Sequence, residues 1–321
     1  MKLVRFGEPG SERPGLIDTA GRIRDISGHV CDVGGIALLP DYLTAIERAS
    51  PANLPIVDPG VRLGPCVASV GKIVGIGLNY TELLDALGLE RPSEPAIFLK
   101  ATSAICGAND DLILPAGSRR TDWEVELGVV IGRPGSHIAV SDALHHIAGY
   151  CIANDYSERN YELPAPTRKV SQNMPLWTTG KNADTFAPLG PWLVTADEVA
   201  DPQALDIWLE IDGHRRQASN TSRMVFNVAE LISSVSRYMS LHTGDVIMTG
   251  TPYGTGIFLT PETYLRPGQT VRAGISGLGE QCQTVRDLRP VLDTAEDKAK
   301  SEPAETHQKE YDWQAIYTPS P

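Results

Sequence analysis

The chain has 321 residues, 40 of them acidic and 28 basic, for a formal net charge of −12. That balance argues against a duplex nucleic-acid binder, which needs a basic face to neutralise phosphates. Apolar residues make up 41% and charged residues 21%, which rules out a disordered chain. The length suffices for one large domain, or a large and a small one.

Residues 1–66 read as a small β-rich unit. "KLVRF" predicts a strand, "RPGLIDTAGRIRDIS" a strand, turn and strand, and "LPDYLTAIERA" at 39–49 a short helix. "SPANLPIVDPGVRLGPCV" is a proline-studded linker into the main body, residues 67–293. There "KIVGIGLNY" predicts a strand, "TELLDALGLE" a short helix, "AIFLKATSAICG" a strand plus loop, and "DLILP" and "WEVELGVVIG" two further strands. "VSDALHHIAGYCIANDYS" predicts a helix running into a strand, followed by a long polar stretch over 157–178. "ADTFAPLGPWLVT" is extended, and "LDIWLEIDGHRRQASN" is a hairpin turning at Asp212-Gly213. "NVAELISSVSRYMSL" is an amphipathic helix, "GDVIMTGTPYGTG" a strand ending in a glycine-rich loop, and "GQTVRAGISGLGEQCQTVRDL" a closing hairpin. From Thr294 to Pro321 the chain is a polar, charged tail.

Cys31, Cys66, Cys106, Cys151 and Cys282 are odd in number and scattered, with no C-x-x-C pair, so neither a disulfide framework nor a zinc ribbon is expected. "MKLVRFG" has no apolar signal-like core, and no stretch approaches a membrane span, so a cytoplasmic protein is expected.

Glu124 and Glu126, in "TDWEVELGVV", point the same way if the run is a strand. Alone, E-x-E is more often the wet face of an edge strand. Asp155, at the end of "GYCIANDYS", adds a third carboxylate. Three carboxylates at strand ends suit a hard divalent cation such as Mg²⁺ or Mn²⁺, with Ca²⁺ a further candidate. Such an ion would also offset the repulsion among them. "TGTPYGTG" at 249–256 offers backbone N–H groups and hydroxyls to an anion, or merely links two strands. Arg159 and Lys181 are each a surface cation if taken alone, but near a metal they suit a 2-oxo acid or a developing enolate. His145, His146 and His214 show no metal spacing, "GIGLNY" lacks the third glycine of a dinucleotide loop, and no G-x-S-x-G elbow occurs.

"KIVGIGLNY", "FLKATSAICG", "DWEVELGVVIG", "AGYCIANDYSER", "GKNADTFAPLGPWLVT", "NTSRMVFNVAELI" and "GDVIMTGTPYGTG" occur in that order. Together they resemble the fumarylacetoacetate hydrolase family over roughly residues 70–290. The resemblance implies an α+β fold, mainly β, with a β-roll or sandwich, flanking helices, a small N-terminal domain and a homodimer. It makes Glu124, Glu126 and Asp155 the metal ligands, Lys181 the active-site lysine, and Arg159 a substrate-side arginine. It places the substrate carboxylate on the loop of Gly250 and Thr251. The substrates it implies are 2-oxo and β-diketo acids held with Mg²⁺ or Mn²⁺.

The chain departs from the family where a base is expected. Hydrolytic members resemble N-Y-x-x-H-x-x-E on the short helix, whereas "NYTELLDALG" places Leu83 and Ala86 at those positions. Members also read S-A-R-D-x-Q where this chain has "SERNYE", with Asn160 and Glu162. Three accounts follow. The first is a C–C hydrolase whose base is Glu82, Asp85 or an acid of the 160–178 stretch. The second is a decarboxylase, tautomerase or dehydratase in which Glu82 or Lys181 moves protons. The third is a non-catalytic ligand-binding member. An acidic interaction module with a solvated E-x-E face is the alternative from a different class.

Overall fold

The structure, a computed structural model, describes residues 1–48, 53–162 and 177–288. Its architecture is α+β and dominated by strands, as β-branched and aliphatic runs favour a pleated, half-buried surface. In Val125–Ile131 and Ile147–Asn154 every residue is buried, so both faces of these strands are covered.

Among the described residues these strands sit centrally in a ten-stranded sheet. Its order is Ile23–Asp25, Arg13–Ile17, Lys2–Phe6, Ala187–Thr195, Ile147–Asn154, Val125–Ile131, Val246–Met248, Ile73–Gly77 and Ala96–Lys100, with Ile105–Gly107 paired beside Ala187–Thr195. The N-terminal strands join this sheet through Lys2 opposite Val194 and Leu3 opposite Leu193. A five-stranded sheet packs beside it in the order His214–Asn220, Asp206–Ile211, Thr270–Ile275, Gly279–Asp287 and Leu112–Leu114.

Buried glutamines tie the second sheet to the first. Gln217 accepts from the Val125 N–H at 3.1 Å, and Gln281 Nε2 donates to the Ile152 carbonyl at 2.9 Å. The register of Ile147–Asn154 against Ala187–Thr195 shifts between Tyr150 and Ile152, and the glutamine supplies a donor there.

The hairpin turn falls at Asp212-Gly213, whose φ values of +50° and +77° are those of a two-residue turn with both centres left-handed. The helix expected at "DALHH" is shorter than the sequence suggests. Only a single 3-10 turn forms at Ala143–His146, because the chain enters the buried strand at Ile147 directly afterwards. The polar stretch begins and ends with short helices, Arg159–Glu162 and Trp177–Gly180, while residues 163–176 and the tail from Thr294 lie outside the described residues. Cys66, Cys106 and Cys151 are buried free thiols, and Cys31 and Cys282 are exposed and free. No helix among the described residues is long and apolar enough to cross a membrane.

The amphipathic helix Val228–Tyr238 starts with a reciprocal cap. The Glu230 N–H donates to Asn227 Oδ1 at 2.9 Å, and the Asn227 N–H donates to Glu230 Oε2 at 2.8 Å. Asn227→Ala is expected to destabilise the protein by ~1 kcal/mol, read as a lowered urea midpoint at an unchanged slope.

Candidate active site

Sheet register brings the three acids together. Glu126 lies opposite Ala153 and Val125 opposite Asn154, and the Asp155 N–H donates to the Glu124 carbonyl at 2.8 Å. Alternation along the strand places Glu124 and Glu126 on one side. One ligand oxygen from each of Glu124, Glu126 and Asp155 lies within 4.8 Å of the others. The strand is central and covered, which corrects the wet-edge reading that E-x-E favours alone.

Burial pushes the Glu126 carboxyl well above the usual range, and the charges of Asp155 and Glu124 add to the rise. Burial also raises Glu124, although Lys181 and Arg159 oppose it. Burial acts in the same direction on Asp155, but Lys100 and Lys181 outweigh it and hold that carboxyl below its ordinary value. Asp122, Glu124, Glu126, Asp155 and Glu162 therefore share a neighbourhood with Lys100, Arg159 and Lys181. Among the described residues these five carboxylates face three cations, a deficit of two charges that one divalent ion would close. Glu126 accepts the Gly250 N–H at 2.7 Å but has no cationic partner among the described residues. An all-oxygen set with this deficit fits a hard divalent cation.

Lys181 Nζ donates to Asp155 Oδ2 at 2.6 Å, Glu124 Oε2 at 2.9 Å and Ser157 Oγ at 2.9 Å. Burial works against its charge, but Asp155, Glu124 and Glu162 hold it protonated far above the ordinary lysine range. It is a fixed ammonium, built to donate. Arg159 is shared among three carboxylates: Nε on Asp122 at 2.9 Å, Nη1 on Glu162 at 2.8 Å and Nη2 on Glu124 at 2.6 Å. Asp122 is itself anchored by the backbone N–H groups of Trp123, Gly256 and Ile257.

The "TGTP" loop braces the ligand strand. Gly250 has φ +95°, and a Cβ there would lie 2.7 Å from Asn79 Cβ, so only glycine lets its N–H reach Glu126. Thr251 Oγ1 donates to the Val125 carbonyl at 3.0 Å and accepts from Gln217 Nε2 at 2.8 Å. Thr251 lines a cavity together with Glu124, Arg159, Glu162 and Lys181. Apolar side chains, Leu83, Phe98, Trp177 and Phe258 among them, complete the lining, and Lys181 Nζ lies 5.1 Å from the Phe98 ring centre. Glu82 is not part of the cavity lining, and its carboxylate lies 3.4 Å from Arg223. Asp85 is exposed.

Three supporting residues escape sequence reasoning. Lys100 Nζ lies 2.5 Å from Asp155 Oδ1 and is fully buried. Its one sequence signal is a lysine inside the apolar run "AIFLKA". Asp122 and Gln217 give no such signal, since each looks like an ordinary polar residue of a strand.

Residues 72–286 match the fumarylacetoacetate hydrolase C-terminal domain. The chain belongs to the fumarylacetoacetate hydrolase family. A protein of Burkholderia multivorans, named no further than as a hydrolase, is 51% identical over 290 residues, covering 90% of this chain and 100% of its own. The solved fumarylacetoacetate hydrolase of psychrophilic Exiguobacterium antarcticum is 29% identical, with a TM-score of 0.78 over 90% of this chain and 100% of that one. A maleylpyruvate hydrolase from Sphingobium sp. SYK-6, solved with manganese(II) and pyruvate, is 30% identical, with a TM-score of 0.73 and the same coverage of 90% and 100%. Membership accords with the strand-dominated fold and with the family's expected acidic triad at Glu124, Glu126 and Asp155.

The raised carboxyls give the metal-free protein a signed pH dependence. Glu124 and Glu126 bind protons more tightly folded than unfolded, so the stability they contribute is lost as pH rises through their raised values. Asp155 acts oppositely and below the ordinary carboxyl range, so the two windows do not overlap. In EDTA, Tm is expected to fall from mildly acidic towards neutral pH. Saturating Mn²⁺ is expected to remove that fall, because the ion stabilises the ionised carboxylates.

Proposed function

We propose that the protein is a divalent-metal-dependent enzyme that hydrolyses a C–C bond of an acylpyruvate-type β-diketo acid. The observation that carries this reading is the acidic triad bonded to Lys181, with Glu124 and Lys181 lining a cavity that apolar side chains also line. Glu124, Glu126 and Asp155 would hold Mg²⁺ or Mn²⁺, with Ca²⁺ also compatible with the oxygen set. When bound, the ion supplies Lewis-acid charge for a 2-oxo acid and for enolate development.

The chain's own residues supply orientation and charge. Lys181 donates towards the metal-side carboxylates and presents a permanent positive charge to the cavity. Arg159 borders the cavity and fixes Glu124 in place. Thr251 and Gly250 would sit beside the substrate carboxylate, although their present bonds are to Val125 and Glu126. Phe98, Trp177 and Leu83 favour a hydrocarbon acyl group over a hydroxylated sugar chain, because an apolar wall cannot satisfy buried hydroxyls. The pyruvate held by the Sphingobium enzyme is the fragment that acylpyruvate cleavage releases. The family resemblance supports a homodimer.

One observation favours a second reading. Leu83, at the position expected for a proton-moving histidine, lies buried in the cavity wall. A site without that group could still decarboxylate, tautomerise or dehydrate a 2-oxo acid, with Glu82 or Lys181 handling the proton. The non-catalytic reading would leave the triad and Lys181 to bind an ion and a ligand without turning the ligand over.

With Mg²⁺ or Mn²⁺, the purified protein is expected to cleave an acylpyruvate bearing an alkyl or aryl acyl group and to release pyruvate. Glu126→Ala is expected to lower Mn²⁺ affinity by at least about 100-fold and to abolish turnover. Loss of CO₂ or water without C–C cleavage would establish the second reading. Ligand binding without turnover would establish the third.

A further inference from the structure

The helix Thr81–Leu87 offers no base to the cavity: Leu83 faces it and Ala86 is exposed. The cavity wall nevertheless contains an acid on a different element. Glu162 ends the helix Arg159–Glu162, and its side chain is 4% exposed. Its Oε2 is fixed by Arg159 Nη1 at 2.8 Å, whereas its Oε1 is buried and has no hydrogen-bond partner among the described residues. Among the described residues the nearest cation to Oε1 is Lys181 Nζ at 3.7 Å, too far for a hydrogen bond.

The stem of Glu162 is held as firmly as its head. A Cβ at position 180 would lie 2.1 Å from Glu162 Cγ, so the helix Trp177–Gly180 packs directly onto it at a glycine. The charged groups facing Glu162 are Arg159 on its own helix and Lys181 after the packed helix, with Glu124 beyond both. Both oxygens of Glu124 are taken by these same cations. Among the cavity-lining carboxylates, Glu162 Oε1 is therefore the oxygen left to accept a proton. A buried carboxylate oxygen without a donor is costly, and a water or substrate donor in the cavity would satisfy it.

We propose that Glu162 is the catalytic general base of this chain, taking over the role that the family's helix pair performs elsewhere. The proposal rests on the C–C hydrolysis reading. Glu162 Oε1 accepts a proton from a cavity water, and the resulting hydroxide oxygen bonds to the acyl carbonyl carbon. The bond from that carbon to the methylene then breaks, and its electron pair leaves with the pyruvate fragment as an enolate. Glu162 returns the proton to the methylene carbon. One water is consumed, and a carboxylic acid and pyruvate leave.

The test compares wild type, Glu162→Gln and Glu162→Asp, each loaded with Mn²⁺ and assayed on an alkyl or aryl acylpyruvate. Mn²⁺ binding, read by electron paramagnetic resonance, reports whether each site is assembled. E162Q is expected to bind Mn²⁺ and to lose about 100-fold or more in kcat with little change in KM, the size of a general-base contribution. E162D keeps the charge beside Arg159 but withdraws the oxygen, and is expected to lose at least about tenfold in kcat. E162D serves as the test if E162Q does not bind the ion. A kcat within about threefold of wild type in a variant that binds Mn²⁺ would overturn the proposal. So would loss of turnover in Glu82→Gln with E162Q still active. A wild-type protein that cleaves no acylpyruvate would instead overturn the reading on which the proposal rests.

Discussion

Five carboxylates are gathered in the interior of this protein, and the rest of the site is arranged around keeping them there. Ionised carboxylates away from water are tolerated only when paired or when bound to metal. Lys100, Arg159 and Lys181 provide part of the compensation, each reaching the cluster from a different element. Asp155 is paired twice and is held ionised, while Glu126, with no ion pair among the described residues, is pushed by burial towards its neutral form. The asymmetry within one triad shows where positive charge is missing. Glu126 is the ligand that a divalent ion would change most.

Geometry at this cluster depends on parts that carry no chemistry. The Val125 N–H and carbonyl, between the two paired glutamates, go to Gln217 and Thr251. Asn79 donates to the Phe226 and Thr249 carbonyls and accepts the Phe226 N–H, fixing the end of one strand against the start of the "TGTP" loop. Asp122 holds the Gly256 and Ile257 N–H groups and the Arg159 guanidinium together. Disturbing any of these braces would move a ligand oxygen without removing it. A metal site is sensitive to displacements of this kind.

Much of the fold was legible because local rules and tertiary demands agreed. The Asp212-Gly213 turn needs two left-handed residues and has the pair that tolerates them. The helix Val228–Tyr238 carries its own cap and its own apolar stripe. Agreement failed at "DALHH", where a helical pattern gives only one turn because the next eight residues are claimed by the sheet. The "TGTP" loop likewise has a tie that its own residues do not announce, the Gly250 N–H donating to Glu126 on a distant strand. Hydrogen-bond partners more than a hundred residues apart leave no local trace in the chain.

By itself the sequence determined the strand-rich class, the ordered set of family motifs, the three acids and the missing histidine on the helix after "GLNY". These are matters of residue type and spacing, and spacing alone decides which side chains share a strand face. Tertiary structure decided that the strand bearing Glu124 and Glu126 is central, that Lys100 belongs to the site, and that Glu162 lines the cavity while Glu82 turns to Arg223. Each of these depends on which distant element packs beside the residue. Burial and charge compensation come from that packing and have no counterpart in a single stretch of chain.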